Sequence, residues 1–181
     1  MNKKGKLIIN VLAAAGVTMV LYIALHEFGH LIVMLSAGAT IDEFSIIGAH
    51  VSAHGGEYTN LSDLWLHANG ALFPLISVFI YLTFYRRELN KTFYRVFSFF
   101  FSLIPMCSLF AWVFIPFAFI NGKAPIGDDV TKFLFNFSQT ASPLYVSAVA
   151  ALLITIGAVL MIRKGVLKNY ILEIKEFSKK E

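Results

Sequence analysis

The sequence predicts an all-α polytopic membrane protein with about four transmembrane helices, and two observations lead to that fold class. Hydrophobic residues make up 57% of the 181 residues and charged residues only 14%, whereas soluble domains are about 45–50% apolar and about 25% charged. The apolar residues also form separate runs, most of them long enough for a span of about 20 residues. We expect one compact bundle over residues 1–166, without a separate soluble domain.

The first predicted span follows a short basic leader and runs from Leu7 to about Gly38, a residue that favours a helix end. The next segment, Thr40–Tyr58, is different because its residues alternate imperfectly in polarity and glycines interrupt it. This pattern predicts a short β-hairpin or an irregular re-entrant segment. Non-helical backbone at membrane depth must lie against protein or a water-filled cavity, so we expect this segment to line a site.

The second and third spans are predicted from two further apolar runs. The second begins near Leu61, with Ser62 as its N-cap, and ends at about Tyr85. It contains His67, which we interpret as a hydrogen-bonded residue of the bundle rather than a metal ligand. The third span covers residues 93–120 and is rich in phenylalanine, with two prolines expected to bend it.

The last third of the chain begins with two aspartates. Asp128 and Asp129 precede a short apolar stretch to about Phe137, which we predict to be a re-entrant half-helix. A fourth span is predicted from Leu144 to Ile162. Residues 167–181 have apolar side chains at helical spacing with Lys and Glu between them, which indicates an amphipathic tail helix on the membrane surface.

The distribution of basic residues predicts the orientation. The leader, the Arg86–Lys91 loop and the tail are basic, whereas the segment from Thr40 to Asn60 has no Lys or Arg. By the positive-inside rule this places both termini in the cytoplasm of a multi-pass protein, which we expect in a bacterial cell membrane. Because the positive charges sit at span ends, they indicate contact with the lipid bilayer and not with nucleic acid.

One motif in the first span points to chemistry. His26-Glu27-Phe28-Gly29-His30 places two imidazoles four residues apart on one helix face, where both can bind a zinc ion at about 2.0–2.1 Å. Glu27 then lies beside the ion and can serve as a general base. Ionisable groups inside an apolar run are costly and usually functional, which favours a metal site over two histidines that only hydrogen-bond to neighbours.

The residues alone leave the third ligand open. A catalytic zinc usually has three protein ligands and one open position. The acidic residues at span boundaries on the same side are Asp63, Asp128 and Asp129. A carboxylate at a helix N-terminus is also favoured by the helix dipole, so position alone does not identify the ligand.

In three places the chain resembles the site-2 protease family of intramembrane zinc metalloproteases. The most specific is residues 20–38, which contain the His-Glu-Phe-Gly-His motif in a first span. Residues 41–46 are similar to the strand segment that follows that span in the family, and residues 125–134 are similar to its late aspartate motif. The chain corresponds to a minimal core of the family, and we expect neither a PDZ nor a CBS domain.

The resemblance implies roles for individual residues. His26 and His30 would bind zinc, Glu27 would be the general base, and a late aspartate would be the third ligand. The resemblance favours Asp129, because an apolar residue follows it four positions later, whereas Lys132 holds that position for Asp128, the fallback. The expected substrate-binding residues are Ile41, Phe44, Ile46, Asn69 and Gly70.

The function implied is zinc-dependent hydrolysis of peptide bonds in membrane-spanning substrates, with partner proteins assisting substrate selection. One departure motivates an alternative. The family has a Gly-Pro motif with a later asparagine in its second span, whereas this chain has Asn69-Gly70-Ala71. The alternative is a non-proteolytic membrane adaptor or metal-binding regulator that retains the fold, and the presence of Glu27 argues against it.

Overall fold

The computed structural model describes residues 3–178, which form six helices and a two-stranded antiparallel sheet. The expected all-α polytopic architecture is confirmed. The elements are α1 (Lys3–Ser36), β1 (Thr40–Ser45), β2 (His50–His54), α2 (Asn60–Phe84), α3 (Thr92–Ile120), α4 (Asp129–Phe137), α5 (Leu144–Lys164) and α6 (Val166–Ser178).

Four of these helices, α1, α2, α3 and α5, are long and apolar enough to cross a membrane, with mean hydropathies from 1.4 to 2.4. In contrast, α4 has nine residues. At 1.5 Å per residue it is about 14 Å long, which is half the thickness of a hydrocarbon core of about 30 Å. The prediction of four spans and one half-helix therefore agrees with the observed helix lengths.

The segment after α1 is a β-hairpin. Thr40 pairs with His54 and Ser45 pairs with His50, and a bulge lies between Ile41 and Glu43. Since a bulge inserts one extra residue, it shifts the side chains that follow to the other face of the strand. The bulge therefore explains the imperfect alternation of the sequence in β1.

The predicted N-cap of α2 is wrong by three residues. Thr59, not Ser62, is the cap, because the Thr59 side chain accepts a hydrogen bond from the Ser62 backbone N–H at 3.1 Å. The Ser62 hydroxyl in turn accepts one from the Thr59 backbone N–H at 2.8 Å. This reciprocal capping box satisfies two backbone donors at once and starts the helix at Asn60.

Helices α1 and α2 approach each other closely beside the histidine motif. A Cβ atom on Gly29 would lie 2.3 Å from the backbone oxygen of Asn69. The Asn69 side-chain amide donates a hydrogen bond of 2.7 Å to the Gly29 carbonyl. Small residues allow such close approach between membrane helices, and interhelical hydrogen bonds reinforce it. The contact brings α2 against the face of α1 that carries the histidines.

The tail helix α6 is amphipathic, and one of its faces packs against the bundle. Val166, Asn169 and Glu173 are buried, and Glu173 forms a salt bridge of 3.0 Å with Arg95 of α3. Ile171 on the other face is 41% exposed. The sequence predicts the helix but not this packing, because Glu173, one of the charged residues between the predicted apolar positions, is buried against the bundle. The position of α6 on a membrane surface stays a prediction.

Candidate metal centre

The histidine motif lies on one face of α1, as the sequence predicts. The Nε2 atoms of His26 and His30 are 3.2 Å apart. Glu27 is 5% exposed and lines the same cavity as the two imidazoles. A buried carboxylate next to two converging imidazoles is the arrangement expected of a metal site with a general base beside it.

Asp129 joins this pair from α4. Asp128 is the N-cap of that helix, and its side chain accepts a hydrogen bond of 2.8 Å from the Val130 backbone N–H. Asp129, the first helical residue, lies with one oxygen 3.4 Å from His26 Nε2 and 3.2 Å from His30 Nε2. The two neighbouring aspartates therefore differ in role, because one caps the helix and the other meets the histidines.

The three converging atoms fit a zinc ion. Ligands at about 2.0–2.1 Å from a tetrahedral ion are about 3.3–3.4 Å apart, and the edges of this triangle measure 3.2, 3.2 and 3.4 Å. Two imidazoles and one carboxylate also form the donor set of several catalytic zinc sites, where the fourth position stays open. The residues present thus fit the metal that the sequence predicts.

The outer hydrogen bond of His30 orients its ring for metal binding. His30 Nδ1 lies 2.7 Å from the Leu66 carbonyl oxygen, so Nδ1–H is the donor and Nε2 carries the lone pair that faces the triangle. Such outer partners fix the tautomer of ligating histidines. His26 Nδ1 is buried and has no hydrogen-bond partner among the described residues. The ring of His30 is therefore oriented by an outer hydrogen bond, and the ring of His26 is not.

The second oxygen of Asp129 faces α2. It lies 3.6 Å from His67 Nδ1, and His67 Nε2 lies 3.7 Å from Asp63. Asp63 in turn accepts a hydrogen bond from the Asn136 side chain, at the other end of α4. His67 is therefore a neighbour of the third donor and not one of the three, which agrees with its interpretation as a bundle residue.

The histidines determine the charge of Asp129. Burial alone would raise the pKa of this carboxyl group, but the surrounding imidazoles of His26, His30 and His67 outweigh burial and hold the pKa well below its usual range. Asp129 is therefore ionised at neutral pH. An ionised carboxylate is the form that binds a metal ion.

Gly70 lies directly against the imidazoles. A Cβ atom at this position would be 2.4 Å from His30 Nε2 and 2.8 Å from His26 Cε1. Asn69 and Gly70 are the two residues of α2 expected to bind substrate. In the structure Gly70 packs against the imidazoles and Asn69 donates a hydrogen bond to Gly29. Their part in substrate binding stays a prediction.

The donor triangle opens into a cavity of about 240 Å³ between α1, α2, α4 and the hairpin. The hairpin contributes Ala49, His50 and Val51 to its wall, and α4 contributes Lys132. The sequence predicts three substrate-binding residues in the hairpin, Ile41, Phe44 and Ile46. None of the three lines this cavity.

The sequence does not predict that Lys132 lies at this cavity. His50 and His54 are four residues apart, but in a glycine-rich loop we interpret them as surface or loop histidines rather than as a second metal site. Ala49, beside His50, has a φ of 47°, which is rare for a residue with a side chain. A second cavity, of about 200 Å³ between α2, α3, α4 and α5, is lined by apolar side chains without a histidine or carboxylate, so we assign the chemistry to the first.

No family model, curated protein or solved structure matches this chain.

Proposed function

We propose that this protein is a zinc-dependent intramembrane protease of the site-2 protease type. One observation carries the proposal: two imidazoles and a carboxylate converge at zinc-ligand spacing in the same cavity as a buried glutamate. Two of these donors and the glutamate belong to α1, which is long and apolar enough to cross a membrane. Ionisable side chains in such a helix usually mark a functional site.

The protein's own residues would perform hydrolysis as follows. Zinc supplies a Lewis acid that polarises a peptide carbonyl and lowers the pKa of water toward about 7. Glu27 accepts a proton from the attacking water while the new C–O bond forms, and then delivers it to the leaving nitrogen as the C–N bond breaks. His26, His30 and Asp129 would hold the ion.

The substrate class follows from the membrane setting. The amides of a membrane-spanning helix are hydrogen-bonded internally, so a peptide must unwind before its carbonyl can be attacked. The hairpin β1–β2 could pair with the unwound strand by β-augmentation. Proline substitutions through residues 40–47 that leave cleavage unchanged would contradict this part of the proposal.

One observation favours the alternative, a non-proteolytic adaptor or metal-binding regulator. The side-chain amide of Asn69 donates to the Gly29 carbonyl, so one of its two N–H donors is used at α1 rather than at a substrate strand. The alternative predicts that the protein binds zinc and cleaves nothing. Membrane-protein substrates, and partner proteins that assist their selection, belong to the protease hypothesis alone.

Cleavage of a membrane-spanning reporter, reconstituted with the full-length protein in liposomes, tests the proposal. We expect wild type to cleave the reporter, chelation to stop cleavage and zinc to restore it. Glu27→Gln should abolish cleavage and retain zinc, because Glu27 is a base and not a ligand. Glu88→Gln, in the exposed α2–α3 loop, is the control and should cleave normally. Cleavage by Glu27→Gln at the wild-type rate would refute the role of Glu27.

A further inference from the structure

The tail helix α6 begins directly at the end of a candidate membrane span. Gly165 ends α5 in the left-handed conformation, with φ of 81°, and α6 starts at the next residue, Val166. The turn is therefore tight. Because α5 ends there, the first turn of α6 lies at the same level as the end of that span.

Polar contacts fix how α6 is rotated about its axis. The Asn169 side chain donates hydrogen bonds of 2.8 Å to the Tyr85 hydroxyl and to the Arg87 carbonyl. One turn later, Glu173 pairs with Arg95 at 3.0 Å. Asn169 and Glu173 are both buried, so the opposite face of α6 points away from the bundle.

That outward face combines two cations with an apolar surface. Lys168, Ile171, Leu172 and Lys175 follow the spacing i, i+3, i+4 and i+7, which places them on one stripe. With Ile162 of α5 they line a groove of about 360 Å³.

The two lysines are available for an external anion. Neither forms a salt bridge within the part of the chain that the structure describes. The buried carboxylate of Glu173 is already paired with Arg95, and Glu176 lies about 80° around the helix from Lys168. At 1.5 Å per residue the lysine Cα atoms are about 10 Å apart along the axis, so both flexible side chains can reach one phosphate.

From this arrangement we infer that the outward face of α6, together with the end of α5, binds an anionic phospholipid. The phosphate lies between Lys168 and Lys175, and an acyl chain fills the groove along Ile162, Ile171 and Leu172. A free phosphate would leave this apolar surface exposed, whereas a zwitterionic lipid would bring no net charge to the two cations. The inference is independent of the proposed protease activity.

Native mass spectrometry of the detergent-solubilised full-length protein tests this inference. Phosphatidylglycerol is titrated against phosphatidylcholine, and bound lipids are counted for each variant. We expect phosphatidylglycerol to bind at least tenfold more tightly. The double variant Lys168→Gln/Lys175→Gln should lose about tenfold or more of that affinity, because a lysine near an anionic surface contributes measurably to binding. Lys123→Gln, three residues beyond the C-terminal end of α3, should bind phosphatidylglycerol as wild type does.

A second variant tests the apolar part of the site. Ile171→Ser/Leu172→Ser keeps both lysines and should still bind phosphatidylglycerol several-fold more weakly than wild type. Equal binding of the two lipids, or wild-type affinity in the lysine variant, would overturn the inference. So would displacement of the lipid by inorganic phosphate at millimolar concentration, because the site would then recognise the anion alone.

Discussion

At Gly70 the absence of a side chain allows α2 to lie against the two imidazoles. The space that an alanine Cβ would need is occupied by His30 Nε2 and His26 Cε1. A Cβ contact below 3 Å must be relieved by movement, and the atoms in the way are ring atoms of the two histidines. Any added side chain would therefore displace the atoms that we propose to bind zinc.

We predict that Gly70→Ala lowers the affinity for zinc by at least about tenfold, since ligand geometry and outer contacts affect metal binding on that scale. Competition with a chromophoric chelator measures this change. Gly16→Ala is the matched control, because a Cβ on this helical glycine meets no atom within 4 Å. Equal zinc affinities for the two variants would show that the rings tolerate the added atom.

The candidate site was predictable where its residues are close in sequence. The spacing of His26, Glu27 and His30 is local, so the helix alone brings them together. The choice of Asp129 over Asp128 came from the resemblance, and the structure explains it by the capping bond to the Val130 N–H. His50 and Lys132 have no local signal, because only the packing of the hairpin and α4 brings them to the cavity wall.

Among the elements, the half-helix α4 brings the third donor to the site, and side-chain contacts hold it against α2 near both ends. At its start, Asp129 lies 3.6 Å from His67. Near its end, Asn136 donates a hydrogen bond to Asp63. Since a nine-residue helix has little stability of its own, we expect these contacts to determine where Asp129 lies.

Removing the distant contact should weaken metal binding without removing a ligand. We predict that Asn136→Ala lowers zinc affinity by up to about tenfold, as partners of ligating groups do when they are lost. Gln139→Ala provides the comparison, because that exposed side chain bonds to the Phe135 carbonyl nearby and not to α2 among the described residues. The chelator competition described for Gly70 measures both variants. If Asn136→Ala bound zinc like Gln139→Ala, α4 would be held by its packing alone.

The elements also show what a sequence pattern can and cannot predict. Span lengths came directly from the apolar runs, because a bilayer demands continuous apolar helices. The hairpin was visible only as imperfect alternation, since the bulge at Ile41/Glu43 disturbs its register. The start of α2 was misplaced because Thr59 and Ser62 are both residue types that favour the N-cap, and only the structure shows that Thr59 is the cap.

In the molecule as a whole, α6 joins the two ends of the α2–α3 connection. Glu173 meets Arg95 and accepts a hydrogen bond of 2.5 Å from the Thr92 hydroxyl. The side chains of the ion pair are 12% and 5% exposed. The periodicity of the tail predicts a helix, but this pairing depends on Arg95, which is far away in sequence, and was not predictable.

We predict that Glu173→Gln destabilises the folded protein by about 3 kcal/mol, because breaking a buried ion pair leaves the arginine charge uncompensated. Thermal unfolding in detergent should show a lower Tm. Glu176→Gln removes the same charge from an exposed position of the same helix and should unfold like wild type. Equal melting temperatures for both variants would mean that this ion pair contributes nothing to the stability of the bundle.

Zinc content per chain, measured after metal-replete purification, tests the metal centre most directly. Wild type, Asp129→Ala and Asp128→Ala are compared, and X-ray absorption identifies the ligands. The account predicts about one zinc ion in wild type and in Asp128→Ala, with imidazole ligands, and loss of tightly bound zinc in Asp129→Ala. Absence of stoichiometric zinc from wild type, or equal zinc binding by the two variants, would contradict the assignment of His26, His30 and Asp129.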